Sequence, residues 1–242
     1  MNLVIDIGNT QIKVAVFEEN ILLFKDQFQS DSILPKVLST LEQYDIKHAI
    51  MSHVAHLDQQ IFVELKKMVN PIELNHKTIL PFTNKYRSPK TLGVDRLALV
   101  AGAQGQFPNK NVLVIDAGSC ITFDFLNQNC EYYGGDISPG IGMRYKAVNH
   151  YTANLPMLDR TDVVPELGDS TSNAIHRGIL NGVIQEIEGV IHQYKSKYQK
   201  LTVVLTGGDT IFLAKNIKSS IFAIPNFLLE GLNSILIHNI DE

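Results

Sequence analysis

The chain of 242 residues is 45% hydrophobic and 19% charged, with a formal net charge of −4, which suits one large soluble domain or two lobes of roughly 110–130 residues. The mild acidity argues against a nucleic-acid partner, which needs a basic face, and no apolar stretch approaches the roughly 20 residues that span a bilayer. Cys120 and Cys130 read as reduced thiols rather than a disulfide framework; with no signal-like segment before the first apolar run, a cytoplasmic location is expected. In chain order, residues 2–6 form a short apolar strand, and 11–18 and 21–28 continue it as a meander that turns at Glu19-Asn20. From Ser32, the apolar residues Ile33, Leu34, Val37, Leu38 and Leu41 follow helical spacing, with Asp31 or Ser32 as the cap. Residues 47–53 predict a strand and 59–69 a helix with Ile61, Phe62, Leu65 and Met68 on one face. Residues 71–89 are polar and irregular, and a helix runs from 92 to 103. A hinge is expected at Pro108-Asn109-Lys110-Asn111. Strands follow from Val112 and over 131–137. After a second irregular stretch at 153–169, a long helix runs from 170 to about 198. An apolar strand at 201–205 and a closing helix at 226–237 complete the chain.

One pattern recurs. Val4-Ile5-Asp6-Ile7-Gly8-Asn9-Thr10 returns as Val114-Ile115-Asp116-Ala117-Gly118-Ser119-Cys120, and each copy is followed by alternating residues. This reads as strand, tight turn, strand, used twice, and predicts two similar lobes, 1–108 and 109–242, with a ligand between them. Turns of this kind present backbone N–H groups to phosphate, and carboxylates hold its cations. Asp-Gly-Asn is also ordinary hairpin chemistry; the recurrence is what favours a functional reading. Lys13, on the outgoing strand, reaches forward as a point charge. Counting from each Asp, Phe123 falls opposite Lys13 in the second copy, so that copy suits a cation and a nucleotide contact better than a second anion grip.

Three further stretches stand out. Gly93-Val94-Asp95-Arg96 opens a helix, where Asp can be a cap or can accept a hydroxyl proton, and Arg can be solvated or can grip a carboxylate. Gly134-Gly135-x-Ile137-x-Pro139-Gly140 reads as a strand ending in a turn before a helix N-terminus, a place for an anion. Thr206-Gly207-Gly208-Asp209 follows an apolar strand. Neither a P-loop nor the common dinucleotide fingerprint is present. The eight histidines (48, 53, 56, 76, 150, 176, 192 and 238) are scattered, and none is assigned a catalytic role.

Taken in order, Asp6-x-Gly8-Asn9-Thr10-x-x-Lys13, Gly93-x-Asp95-Arg96, Asp116-x-Gly118-Ser119, Gly134-Gly135-x-Ile137-x-Pro139-Gly140 and Thr206-Gly207-Gly208 resemble the motifs of type III pantothenate kinases over nearly the whole chain. The resemblance implies an α/β actin-like ATPase fold of two ribonuclease-H-like lobes, with mixed sheets flanked by helices and a cleft between them. It implies ATP-dependent phosphorylation of the 4′-hydroxyl of pantothenate, the first step of coenzyme A synthesis, by a homodimer that uses a divalent cation (Mg2+) and a monovalent one (K+ or NH4+). By position it puts Asp6, Gly8, Asn9, Thr10 and Lys13 on the ATP phosphates and Ser119 on the nucleotide. It makes Asp95 the base, and Tyr86, Gly93, Val94, Asp95, Arg96 and Thr171 the pantothenate contacts, with Arg96 facing its carboxylate. Asp116 becomes the monovalent-cation ligand. The chain departs from the family at Ser119-Cys120, where Thr-Ala is commoner; the hydroxyl is kept and a thiol is added near the nucleotide. Two rivals remain: another kinase or phosphatase of this fold, such as a sugar kinase, and a non-catalytic nucleotide-binding regulator.

Overall fold

The computed structural model describes residues 1–54 and 57–240. Its strands are β1 (Asn2–Ile7), β2 (Ile12–Glu18), β3 (Ile21–Phe28), β4 (His48–His53), β5 (Ile72–Glu73), β6 (Thr83–Asn84), β7 (Val112–Ala117), β8 (Cys120–Leu126), β9 (Glu131–Pro139), β10 (Thr202–Thr206) and β11 (Phe222–Ala223). Its helices are α1 (Ile33–Gln43), α2 (Gln59–Val69), α3 (Val94–Gln106), α4 (Ile141–His150), α5 (Thr171–Lys197), α6 (Thr210–Asn216) and α7 (Phe227–Ile240). The expected long helix is therefore present, with Ser170 as its cap, accepting from the Asn173 N–H at 3.3 Å. The stretch 71–89, expected to be irregular throughout, contains β5 and β6. Two-residue strands are too short to leave an alternation in sequence.

The chain falls into two compact units. The first comprises Met1–Asn109, Leu126–Tyr133 and the segment from Asn226 onward; the second comprises Lys110–Phe125 and Gly134–Pro225. The 109–242 segment thus contributes its last helix and the tip of the β8–β9 hairpin to the first unit.

In the first unit the sheet order is β3-β2-β1-β4-β5. β1 is antiparallel to β2 and parallel to β4. Side chains alternate across a strand, and here both faces are covered. Leu3, Ile5 and Ile7 of β1 join Ile12, Val14 and Val16 of β2 and Ala49 and Met51 of β4 in a core closed by Ile33 and Val37 of α1 and Leu65 of α2. The opposite face carries Asn2, Val4 and Asp6. α7 packs along β1 and β4, and against α3. The helices meet closely because Gly231 and Gly102 have no side chains: a Cβ on Gly231 would lie 1.9 Å from the Ala98 carbonyl oxygen, and one on Gly102 3.3 Å from Phe227. A buried amide pair, the Asn2 side chain donating to Asn233 Oδ1 at 3.0 Å, ties β1 to α7. Thr83 and Asn84 of β6 pair with Glu131 and Tyr132 within this same unit.

In the second unit the order is β11-β10-β7-β8-β9. This matches the first unit strand for strand: β7 stands where β1 does, between its hairpin partner β8 and the parallel strand β10. Leu113, Ile115 and Ala117 of β7, with Ile121, Phe123 and Phe125 of β8, pack under α5 and α6. Among the described residues no helix is long and apolar enough to cross a membrane.

Candidate active site

The first hairpin closes with the Gly8 N–H donating to the Gln11 carbonyl at 3.2 Å. A Cβ on Gly8 would stand 3.1 Å from that oxygen, so a bare glycine keeps the turn tight. Asn9 and Thr10 are exposed at its tip. Just behind them Asp6, 3% exposed, forms the centre of a row across three strands. Lys13 is its register partner on β2 and Ser52 its partner on β4. Ser52 Oγ donates to Asp6 Oδ1 at 2.7 Å, while Lys13 Nζ lies 4.0 Å from Oδ2. Burial lifts the Asp6 carboxyl above the usual carboxylate range; Lys13 and Ser52 pull it back, and the nearby Asp95 carboxylate pushes it further up. Ser52 carries no recognisable motif, and its only sequence signal is a polar residue near the end of an apolar strand.

Gly93, at φ −59° and ψ 132°, caps α3 from outside the helix. Asp95, in the first turn where a carboxylate suits the helix dipole, accepts from the Arg96 backbone N–H at 2.8 Å. Arg96 is 4% exposed. Its guanidinium carbon lies 5.9 Å from the centre of the Tyr86 ring, and that ring stacks on Tyr132 at 6.2 Å and 14°. Phe82 meets Tyr132 edge-on at 6.0 Å. The first unit thus brings Asp6, Lys13, Asp95, Arg96 and Tyr86 into two linked clusters, and Tyr132 is an anchor that sequence reading missed.

The second hairpin is a residue shorter. Its Gly118 N–H donates to the Cys120 carbonyl at 2.9 Å, two positions on rather than three. Ile121 and Phe123 face the core as Ile12 and Val14 do. The residue standing where Lys13 stands is therefore Thr122, not Phe123; counting from the aspartates misses the deleted turn residue. Asp116 is in register with the buried Thr206 on β10. Gly207, at φ +95°, folds over it so closely that a Cβ would lie 2.4 Å from both Asp116 Oδ1 and the Ala117 carbonyl oxygen. The turn holding Ser119 packs against Gly140 at the start of α4, whose N–H donates to the Ser119 carbonyl at 3.2 Å. Asp209 donates its N–H to the Ala117 carbonyl at 2.9 Å and its carboxylate pairs with Arg160, which lies over the Phe212 ring at 5.2 Å. Burial raises the Asp209 carboxyl, and Arg160 offsets part of that.

Thr171 is elsewhere in the second unit, exposed at the first position of α5, between Asp169 and Asn173, which line a cavity of about 850 Å³. Exposed Cys120 has its sulfur 3.9 Å from that of Met143. Of the histidines, His176 shares a 2.8 Å hydrogen bond with the Tyr145 hydroxyl, and His56 lies outside the described residues.

A model of the family described as type III pantothenate kinase matches residues 2–193. The chain is 44% identical to the type III pantothenate kinase of Flavobacterium johnsoniae, over the whole of both chains. A crystal structure titled a conserved putative Baf family transcriptional activator, from Campylobacter jejuni, superposes with a TM-score of 0.64 at 22% identity, over 99% of this chain and 100% of that one. A ROK family glucokinase from Streptomyces griseus, in complex with glucose and AMPPNP, gives a TM-score of 0.54 at 12% identity, over 98% of each. At these identities the two structures establish shared architecture alone: mixed sheets flanked by helices.

Proposed function

This chain belongs to the type III pantothenate kinase family, and we propose that it transfers a phosphoryl group from ATP to the 4′-hydroxyl of pantothenate, opening coenzyme A synthesis. What supports the residue assignment is the nearness of Asp95 to the buried Asp6, whose carboxyl it helps to raise. In this reading the carboxylate assigned to the substrate lies near the hairpin assigned to the phosphates, as a hydroxyl meeting a γ-phosphoryl group requires.

Phosphoryl transfer needs positioned substrates and neutralised charge more than covalent chemistry. In this reading the Gly8 turn offers backbone, Asn9 and Thr10 offer polar side chains, and Lys13 supplies a point charge to the ATP phosphates. Asp95 receives the hydroxyl proton late, as the phosphoryl group arrives. Arg96, held against Tyr86, turns its fork to the pantothenate carboxylate, with Gly93 and Val94 shaping the backbone there and Thr171 adding a contact. Ser119 meets the nucleotide.

Among the described residues no three His, Cys, Asp or Glu side chains gather to hold a metal ion by themselves. Kinases take Mg2+ through one or two carboxylates together with substrate phosphates, and the Asp6 carboxylate, in register with Lys13 at the first hairpin, would supply the protein share. A magnesium ion bound there supplies charge neutralisation at the phosphates. Asp116 is assigned K+ or NH4+; its carboxylate, packed against Gly207, offers the oxygen donor such a cation takes. We also propose a cytoplasmic homodimer. Val163 and Leu167, 71% and 69% exposed and both lining one cavity, offer apolar surface for a second copy to cover.

The test is ATP-dependent phosphorylation of pantothenate against a panel of small sugars, with and without potassium. Turnover confined to pantothenate is expected; turnover of a sugar at equal or greater efficiency would move the chain's activity to the sugar kinases of this fold.

A further inference from the structure

Ser52 is fully buried at the end of β4, on the face opposite the side chains of Ala49 and Met51, which sit in the core. Every other interior position of that strand is apolar: Ala49, Ile50 and Met51. Across the sheet the row reads Lys13, Asp6, Ser52. Each oxygen of Asp6 faces one of these neighbours, Oδ1 at 2.7 Å from Ser52 Oγ and Oδ2 at 4.0 Å from Lys13 Nζ. The lysine is too far for a hydrogen bond, whereas the hydroxyl contact has the usual length of one. Among the described residues the hydroxyl alone makes a hydrogen bond to this carboxylate, and that bond holds its rotation. The second unit repeats the placement: Thr206, 2% exposed, stands in register with Asp116 on the equivalent parallel strand.

We infer that Ser52 is a positioning residue for the transfer, orienting the Asp6 carboxylate so that Oδ2 and Lys13 face the ATP phosphates. This rests on the assignment of Asp6 to the phosphate end of the site. Ser52 touches neither substrate and acts through Asp6 alone. The hydroxyl also opposes the effect of burial on Asp6, favouring the charged form.

The experiment compares Ser52→Ala, Ser52→Cys, Asp6→Ala and the double variant Ser52→Ala/Asp6→Ala, measuring kcat, the KM for MgATP and the KM for pantothenate, with folding followed by circular dichroism. Cysteine keeps the shape of serine but is a weak donor, so it reports on the hydrogen bond even where alanine perturbs the fold. Ser52→Ala and Ser52→Cys are each expected to lower kcat/KM for MgATP about tenfold or more, with the KM for pantothenate within about twofold of the parent. In the Asp6→Ala background, Ser52→Ala is expected to add nothing. If Asp6→Ala strongly lowers MgATP turnover while Ser52→Cys keeps parental kcat/KM, the inference about Ser52 is wrong and the reading of Asp6 stands. If Asp6→Ala leaves the KM for MgATP and kcat intact, the reading of Asp6 falls and takes the inference with it. A Ser52→Ala loss of the same size with and without Asp6 overturns the inference in favour of a general structural role.

Discussion

Arg96, buried at the first turn of α3, holds its guanidinium carbon 5.9 Å from the centre of the Tyr86 ring. Arg stacks on an aromatic face and still presents a fork to a carboxylate; Lys does neither well. Arg96→Lys is therefore expected to raise the KM for pantothenate about tenfold or more, the size of one lost charge-assisted hydrogen bond, with the KM for MgATP unchanged. Steady-state kinetics with each substrate varied in turn checks this.

Asp95→Asn keeps the size of the side chain and removes its capacity to take a proton. The variant is expected to bind ATP as the parent does and to lose about 10²- to 10⁴-fold in kcat, the usual weight of general base catalysis. Nucleotide titration by calorimetry, set beside turnover, separates the two. Near-parental turnover would remove Asp95 from the mechanism.

Asp6 makes a prediction about stability with a definite sign. Its carboxyl is raised in the folded protein, first by burial. A raised group favours the fold fully below its unfolded pKa, and that contribution is lost as pH rises through the folded value. At neutral pH the ionised Asp6 thus weighs against folding. Asp6→Asn is expected to raise the melting temperature of the ligand-free protein at pH 7.5, by about 2 °C or more. The gain should shrink as the pH falls towards the ordinary carboxylate range, and activity is expected to be strongly lowered, though measurable, throughout. Thermal melts across pH test it; a gain that persists undiminished in acid would contradict the burial argument.

Turnover is expected to rise with potassium or ammonium and to be poor in sodium alone, and Asp116→Asn is expected to flatten that response. Initial rates over a salt series at constant ionic strength measure both. A parent enzyme indifferent to the cation would end the Asp116 assignment.

Gly207→Ala puts a methyl group 2.4 Å from Asp116 Oδ1 and the Ala117 oxygen, at φ +95°, a backbone region that alanine resists. A loss of about 1–3 kcal/mol is expected, read by denaturant unfolding. Gly208→Ala, which meets nothing within 4 Å, is the matched control and should unfold with the parent.

Much of this was legible in sequence because period and punctuation coincide. β1 is a mostly apolar run and β3 alternates along its length, α5 runs between a Ser cap and a Lys-rich end, and Asp6, Asp95 and Asp116 stand close to glycines that mark turns or caps. What was hidden has physical causes. Ser52 reaches Asp6 through a parallel register 46 residues away, which local patterns do not encode. Thr122 was misjudged because a hairpin shortened by one residue shifts every later position to the other face. Tyr132 anchors Tyr86 through a hairpin tip distant in sequence. The pairing of α7 with α3 depends on two glycines, Gly102 and Gly231, that read alone as poor helix formers.

That last pairing bears on how the chain is made. During synthesis the polypeptide emerges from its N-terminus, so β1, Asp6 and Lys13 leave the ribosome early. Their sheet lacks the cover of α7 until residues past Phe227 appear. The second unit, drawn from Lys110–Phe125 and Gly134–Pro225, has all its parts before then. The half of the molecule read first is the half finished last, and a nascent chain stalled before Phe227 carries an exposed β1–β4 face for a chaperone to shield.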